Sequence, residues 1–309
     1  MKKRHVFLIL LLILTALAIG IYEIKIHSSS GIKEPADIKL IDVQPSEEKQ
    51  ATPPEKDKLS DDKPDSSRDF FKRANQKDGY RDYIGAIKDY DQAIKLNPKF
   101  ANAYLNRGYV KYKIKDYNGA IDDYNHTISL KPKNEKAYYA RANAKYAQKY
   151  YEDAIEDYTM TLELNPKSAK TYNARGLAKY YLQDFKGAID DYTRAIELEP
   201  KDAADFYFNR GKTKEKLNKE KDALEDFSRA IEQKPMFVKA YYERGRVHLE
   251  SNDFEEAIAD FDKVISLDPQ HSTAYFSRAQ AKEELDDLEG AEKDYKKADA
   301  LTRRKLNIR

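Results

Sequence analysis

Three charged residue types recur along this chain on one beat. Arg73, Arg107, Arg141, Arg175, Arg210, Arg244 and Arg278 keep the same spacing as Asp89, Asp123, Asp157, Asp191, Asp226, Asp260 and Asp294. A lysine follows several of the arginines by four residues, as in Arg107/Lys111, Arg141/Lys145 and Arg175/Lys179. Two chemistries fit this pattern. Seven cationic pairs could form a ladder for an anionic polymer. Alternatively, each aspartate neutralises the arginine and lysine of its own unit at the edge of a core, because two cations one helical turn apart repel unless an acid sits between them. The equal numbers of arginine and aspartate favour the second reading, with Arg107–Lys111–Asp123, Arg141–Lys145–Asp157 and Arg175–Lys179–Asp191 as representative triads.

Other reactive chemistry is missing. The chain has no Cys, hence no disulfide, thiolate ligand or thiol nucleophile. Its five histidines (His5, His27, His126, His248 and His271) lie far apart, with no pair at metal-ligand spacing. There is no Gly-rich phosphate loop and no nucleophile elbow. Acidic pairs such as Asp122-Asp123 and Asp190-Asp191 recur with the beat, so they belong to helix surface and core edge rather than to acid–base dyads. The sequence implies no enzyme, cofactor or metal. Lys and Arg number 56 against 54 Asp and Glu, too little surplus for a general nucleic-acid binder.

What must position these residues is a repeated helical pair. Pro98, Pro132, Pro166, Pro200, Pro235 and Pro269 stand 34, 34, 34, 35 and 34 residues apart. Within a period the apolar residues follow a helical spacing. Tyr104, Gly108, Tyr112 and Ile114 mark one helix; Tyr117, Ala120, Ile121, Tyr124, Ile128 and Leu130 mark another. Asp116 lies between them at an N-cap position, and Pro132 stops the second. Small residues at Gly108 and Ala120 let the helices approach closely while Tyr104 and Tyr124 fill the space around them. Neither helix buries its face alone, so stability requires stacking.

This arrangement resembles the tetratricopeptide repeat family. The signature places an aromatic at repeat position 4, small residues at 8, 20 and 27, an aromatic at 24 and Pro at 32. The fourth repeat matches it with Tyr172, Gly176, Ala188, Tyr192, Ala195 and Pro200. Seven repeats cover 67–100, 101–134, 135–168, 169–202, 204–237, 238–271 and 272–305. Thr127 and Thr161 depart at position 27, and the fifth repeat carries an extra residue near Ala203 and Glu220 in place of an aromatic, which predicts the softest joint. The seventh lacks its Pro and runs into Arg303-Arg304-Lys305, as a terminal capping repeat does. The resemblance implies an all-α, right-handed superhelical solenoid of antiparallel helix pairs. It also implies a concave groove, lined by the first helix of each pair, that holds extended peptides or partner helices without chemistry of its own.

Under that expectation, positions 2, 5, 9, 12 and 13 of the first helices face the groove. They carry Phe71, Leu105, Tyr109, Tyr112, Tyr139, Asn143, Tyr146, Tyr180, Tyr181, Phe208 and Tyr242, with Leu177 and Phe276 continuing the stripe. The chain has 24 tyrosines, of which fourteen occupy framework positions 4, 17 and 24. The remainder either bind a partner or pack between successive repeats. A family subtype that clamps a terminal carboxylate is matched by Asn75, Asn106 and Lys136, but Phe71 and Ala140 replace its two other cations, so that clamp is incomplete.

Residues 1–22 and 23–66 differ from the array. Lys2, Lys3 and Arg4 precede an unbroken apolar run from Val6 to Tyr22, the pattern of a signal anchor or signal peptide. The positive-inside rule keeps those cations in the cytoplasm and sends the repeats across the membrane. Seventeen helical residues reach roughly 25 Å, close to a thin bilayer core, which favours an uncleaved membrane anchor at residues 6–22. Ala16-Leu17-Ala18 offers cleavage near Ala18 and an exported product as the alternative. Residues 23–66, with five prolines and mixed charge, read as a disordered linker. The expected function is an extracytoplasmic scaffold for other proteins. A self-associating structural subunit and an anionic-polymer module are the other readings.

Overall fold

The computed structural model describes residues 66–305. The proposed leader and all of the proposed linker except Ser66 lie outside them. Among the described residues there are fourteen α-helices, paired as seven repeats. The first helices of the pairs are α1 (Ser67–Gly79), α3 (Ala101–Lys113), α5 (Glu135–Ala147), α7 (Ala169–Tyr181), α9 (Ala204–Glu215), α11 (Val238–Glu250) and α13 (Ser272–Glu284). The second helices are α2 (Tyr83–Leu96), α4 (Tyr117–Leu130), α6 (Tyr151–Leu164), α8 (Phe185–Leu198), α10 (Glu220–Gln233), α12 (Phe254–Leu267) and α14 (Leu288–Lys305). Each helix packs chiefly on its chain neighbours, which makes the array an all-α helix-pair solenoid. Among the described residues no helix is long and apolar enough to cross a membrane.

In repeats two, four, five and six the pair is closed by one ring set against one missing side chain, and in the other three alanine stands there. Position 24 carries Tyr90, Tyr124, Tyr158, Tyr192, Phe227 and Phe261, all buried almost completely. Each such side chain contributes about 1.5–3 kcal/mol on leaving water. A Cβ at Gly108 would stand 2.5 Å from the Tyr124 ring, and one at Gly176 would stand 2.8 Å from the Tyr192 ring. The glycine is therefore a seat for the ring.

The tight turn inside each repeat depends on a second backbone feature. Arg81, Lys115, Lys149, Gln183, Asn218, Asn252 and Asp286 all adopt positive φ, between 54° and 66°. They occupy position 15 in all seven repeats, and none is glycine. The next residue starts the second helix. Asp82, Asp116, Asp184 and Asp287 there accept a hydrogen bond from the backbone N–H three residues on, at 2.9–3.0 Å. That third residue is glycine in all four, because a Cβ would fall within 2.0–2.2 Å of the aspartate carboxylate oxygen. Asp253, followed by Glu256 at the same spacing, makes no such cap.

The extra residue in the fifth repeat is pinned. Ala203 donates its N–H to Oε1 of Gln233 at 2.7 Å, and Nε2 of Gln233 donates to the Pro200 carbonyl at 2.8 Å. One amide from α10 thus bridges the insertion. The repeat keeps two weaknesses: α9 is one residue shorter than the other first helices, and Lys219 gives α10 no side-chain cap.

Both outer faces of the array are polar. Positions 3 and 10 of the first helices, which receive the preceding repeat, hold buried residues such as Ala103, Val110, Ala137 and Ala144 but exposed Asp69 and Gln76 in α1. Positions 21 and 28 of the second helices, which receive the following repeat, hold Ile121 and Ile128 in α4 but exposed Glu292 and Asp299 in α14. Salt bridges Glu292–Lys296 and Asp299–Arg303 cover that last face. Ser66 caps α1, accepting from the Asp69 N–H at 3.2 Å.

Left-handed backbone costs a non-glycine residue about 1–2 kcal/mol, part of which glycine returns as chain entropy. Lys115→Gly and Gln183→Gly, whose side chains are exposed, should therefore each stabilise the array by about 0.5–1 kcal/mol. Urea denaturation followed by far-ultraviolet circular dichroism reads this out as a higher midpoint; a lower one would contradict the strain assigned to position 15.

Candidate functional site

The recurrent arginine sits at a node of three helices. In the fourth repeat Arg175 donates from Nε and Nη2 to the two carboxylate oxygens of Asp191 at 3.0 and 2.7 Å. The same two-pronged bond joins Arg73 to Asp89, Arg107 to Asp123, Arg141 to Asp157, Arg210 to Asp226, Arg244 to Asp260 and Arg278 to Asp294. The lysine one turn on reaches the same carboxylate, as Lys111 to Asp123, Lys145 to Asp157 and Lys179 to Asp191, at 2.8–2.9 Å. His248 replaces it in the sixth repeat and faces Asp253 at 3.2 Å instead.

The third guanidinium nitrogen leaves the repeat. Nη1 of Arg141 donates to Asn125 at 2.6 Å, that of Arg175 to Thr159 at 3.0 Å, that of Arg210 to Thr193 at 3.0 Å and that of Arg244 to Ser228 at 3.0 Å. Arg107 meets Asp91 and Arg278 meets Asp262 in the same way. All six acceptors stand at position 25 of the preceding repeat. The guanidinium carbon stands over the position 4 ring, as Arg107 over Tyr104 at 5.5 Å and Arg175 over Tyr172 at 5.6 Å. Burial alone would oppose the charge on Arg107; the carboxylates of Asp123 and Asp91 more than offset it and raise its pKa. In six of the seven nodes three guanidinium nitrogens are engaged, which leaves an anionic polymer few donors.

The aspartates are the most buried members, with side chains 2–7% exposed. For Asp89 and Asp294 burial pushes the pKa up, but hydrogen bonds from Arg73 and Lys77, and from Arg278 and Lys282, outweigh it and hold both below the ordinary carboxylate value. A lowered pKa contributes stability that is present above the ordinary value near ~4 and is lost as pH falls through the folded one.

The aromatic stripe divides in the structure. Leu105, Tyr139, Asn143, Tyr180 and Phe208 are interior residues. Position 5 packs on the residue that closes its own repeat, at position 34: Phe71 on Phe100 at 4.8 Å, Phe208 on Phe237 at 5.1 Å and Tyr242 on His271 at 5.0 Å. Asn143 accepts from the Tyr158 hydroxyl at 2.6 Å. Burial pushes Tyr139 and Tyr180 up to about 12, so both hydroxyls stay protonated at neutral pH. Tyr109, Tyr112, Tyr146, Tyr181, Phe71 and Tyr242 are half-buried. Tyr146 and Tyr181 meet edge to face at 5.8 Å, and Tyr181 stacks on Tyr151 at 4.9 Å. The two clamp-like asparagines serve each other, since Asn106 donates to Asn75 at 2.9 Å while Tyr90 donates to the same oxygen at 2.6 Å.

These first helices form the closer-packed row. α1 and α3, α3 and α5, α7 and α9, and α11 and α13 touch directly, whereas among the described residues no two successive second helices approach to the same extent. Side chains bridge the row. Lys113 reaches back to Asp78 at 2.8 Å, and Asn209 donates to Asn173 at 2.9 Å. Lys212 pairs with Glu243 at 2.9 Å, and Arg246 engages Glu215, Glu243 and Glu250 together. That network and the exposed position 2 side chains Arg68 and Lys170 belong to the inner row and carry no aromatic signal in the sequence. The lysine at position 2 of two successive repeats was the signal that could have shown them.

Comparison with known families agrees with this geometry. The tetratricopeptide repeat family matches residues 82–115, 101–134, 169–202, 210–272 and 242–303, together more than half of the chain. The chain is a tetratricopeptide repeat protein. A comparison with curated proteins finds no match. Among solved structures, a tetratricopeptide repeat protein from Parabacteroides merdae ATCC 43184 is similar at 21% identity over 78% of this chain and 95% of its own, with a TM-score of 0.60. YrrB, described as a TPR protein with an unusual peptide-binding site, is similar at 24% identity over 60% and 95%, with a TM-score of 0.51. PilF of Pseudomonas aeruginosa is similar at 16% identity over 67% and 91%, with a TM-score of 0.57. At these identities the likeness is one of fold. Tetratricopeptide repeat proteins are scaffolds for protein–protein interaction and typically carry no enzymatic activity.

Arg175→Ala leaves buried Asp191 with Lys179 alone and frees Thr159 in the preceding repeat, and should cost about 3 kcal/mol. Arg175→Lys keeps the charge but cannot reach all three acceptors, so its loss should fall between wild type and Arg175→Ala. Chemical denaturation of both variants checks the order; equal midpoints for all three proteins would show that the node carries no stability.

Proposed function

We propose that this tetratricopeptide repeat protein holds an extended segment of a partner protein along the inner row of first helices, on the outer side of a membrane. The observation that carries this reading is the half-buried strip Tyr109, Tyr112, Tyr146 and Tyr181. It runs across three successive first helices between the exposed position 2 cations and the turns. Such tyrosines offer ring edges and hydroxyls that are already held in place, so capturing a ligand costs little side-chain entropy. A peptide-binding site in the structurally similar YrrB supports this use of the fold. The extracytoplasmic placement follows from the basic residues 2–4 and the apolar run 6–22, with the linker as the tether.

End-to-end self-association, the structural alternative, is disfavoured by polar side chains at both ends of the described array. Asp69 and Gln76 on one face, and Glu292, Lys296 and Asp299 on the other, would have to be desolvated. The polymer-binding alternative loses its premise with the engaged arginines.

Photo-crosslinking residues placed in living cells at Tyr112 or Tyr181 should give adducts with a partner protein, whereas the same residue at exposed Ile84 on α2 should not. Adducts at Ile84 alone, or only with a second copy of the chain, would refute the groove reading. For the topology, alkaline phosphatase joined after Arg309 should be active in intact cells, and inactivity there would place the repeats in the cytoplasm.

A further inference from the structure

The ends of the helices give the array two edges. One carries the turns inside the repeats; the other carries the loops between repeats, at the start of each first helix, roughly 20 Å away. On the loop edge, position 33 is lysine in the first four repeats: Lys99, Lys133, Lys167 and Lys201, all exposed. The backbone that carries them is held in place. The Lys99 N–H donates to Oδ1 of Asn97 at 3.1 Å, and the Lys167 N–H to Oδ1 of Asn165 at 3.3 Å. Lys95 and Lys131 add to the edge, and Lys131 donates to the uncharged side chain of Asn102 at 3.2 Å. Among the described residues, Lys95, Lys99, Lys133 and Lys167 meet no carboxylate.

This surplus is greatest where the chain enters the array. Across the first three loops, Lys95, Lys99, Lys131, Lys133 and Lys167 stand against the acids Glu135 and Glu163. In the fourth loop Lys201 lies between Glu199 and Asp202, and position 33 becomes Met236 and Gln270 in the next two. Ser66 caps the start of α1, so residues 23–65 join the array on the lysine edge. A flexible linker of that length spans roughly 35 Å as a root-mean-square distance. Two helix-pair steps, from Lys99 to Lys167, cover about 20 Å. The tether therefore reaches across the whole basic stretch.

We propose that the loop edge of repeats one to three rests on anionic lipid headgroups of the membrane that holds the chain, with the turn edge pointing away. This rests on the tether reading of residues 6–22 and adds to it the orientation of the array at the surface. Two observations carry it: the unneutralised lysines, and the entry of the tether on the same edge. Anchoring makes the second contact intramolecular, so a few individually weak lysine–phosphate contacts are enough to orient the array. In that pose the helices stand upright on the bilayer and the inner row opens sideways, accessible to a partner. A contact between exposed charges weakens as salt rises.

The chain has no Cys, so a single introduced cysteine can report on either edge. Full-length protein is labelled with a fluorophore at Ser129→Cys on the loop edge or Gln183→Cys on the turn edge, both exposed. It is assembled into nanodiscs of phosphatidylcholine, with or without phosphatidylglycerol, that contain a headgroup-linked quencher. Phosphatidylglycerol should increase quenching at Ser129→Cys by about twofold, high salt should remove the increase, and Gln183→Cys should stay bright throughout. The triple variant Lys99→Gln/Lys133→Gln/Lys167→Gln should lose the increase while remaining in the disc. Equal quenching at the two edges, none at either, or loop-edge quenching independent of phosphatidylglycerol would overturn the orientation and leave the tether standing. Carbodiimide crosslinks from Lys99 or Lys133 to carboxylates within residues 23–65, without lipid-dependent quenching, would assign the edge to the linker and overturn the proposal. Failure of the chain to co-purify with either disc would overturn the tether reading, and the orientation with it.

Discussion

From the second repeat onward each recurrent guanidinium satisfies three helices at once. It grips the aspartate of its own second helix with two nitrogens, sends the third to the second helix before it, and stands over the ring at position 4. Its two-pronged bond fixes the angle within a pair, and its third bond fixes the step between pairs. A charge this enclosed must have its partners in place, because stranding a buried aspartate is far more costly than the pair is stabilising. The rest of the framework follows from the geometry so fixed: the glycine that seats the position 24 ring, the left-handed turn at position 15, and the short polar acceptor at position 25. The chain of nodes stops where position 25 becomes Lys296, a donor that could not receive another arginine.

That economy explains why most residues suggestive of function serve the scaffold. Arginines at a regular beat resemble an anion ladder until their donors are counted, and tyrosines resemble a binding stripe until the next repeat is stacked on them. Tyr139, Tyr180 and Phe208 lie on the inner side of their helices yet end up interior, because the following first helix closes over them. In the proposed groove, what remains for recognition is narrower: ring edges at Tyr109, Tyr112, Tyr146 and Tyr181 beside the cations at position 2.

The period, the helical pairs and the Arg–Asp register were legible because three residue types repeat together and each tolerates little substitution. The position 25 acceptor was less visible, since Asp91, Asn125, Thr159 and Ser228 share only a short polar side chain. The left-handed residue at position 15 left no sign in composition. A glycine would have announced it, but Arg81, Lys115 and Gln183 accept the strain because the turn leaves no alternative. Burial along the inner row was illegible for a different reason. It depends on how closely successive first helices approach, and no single repeat encodes that distance.

A net charge of +2 over 309 residues describes no particular place on this protein. In a solenoid, position along the chain is position in space, so charges that cancel in the total stay apart in the structure. The nodes remove seven arginines and seven aspartates from any field a ligand would feel. Among the described residues, the charges still exposed on the inner row include Arg68, Lys72 and Lys170. Being few and exposed, such residues add little to stability, and the near-zero total hides them from composition.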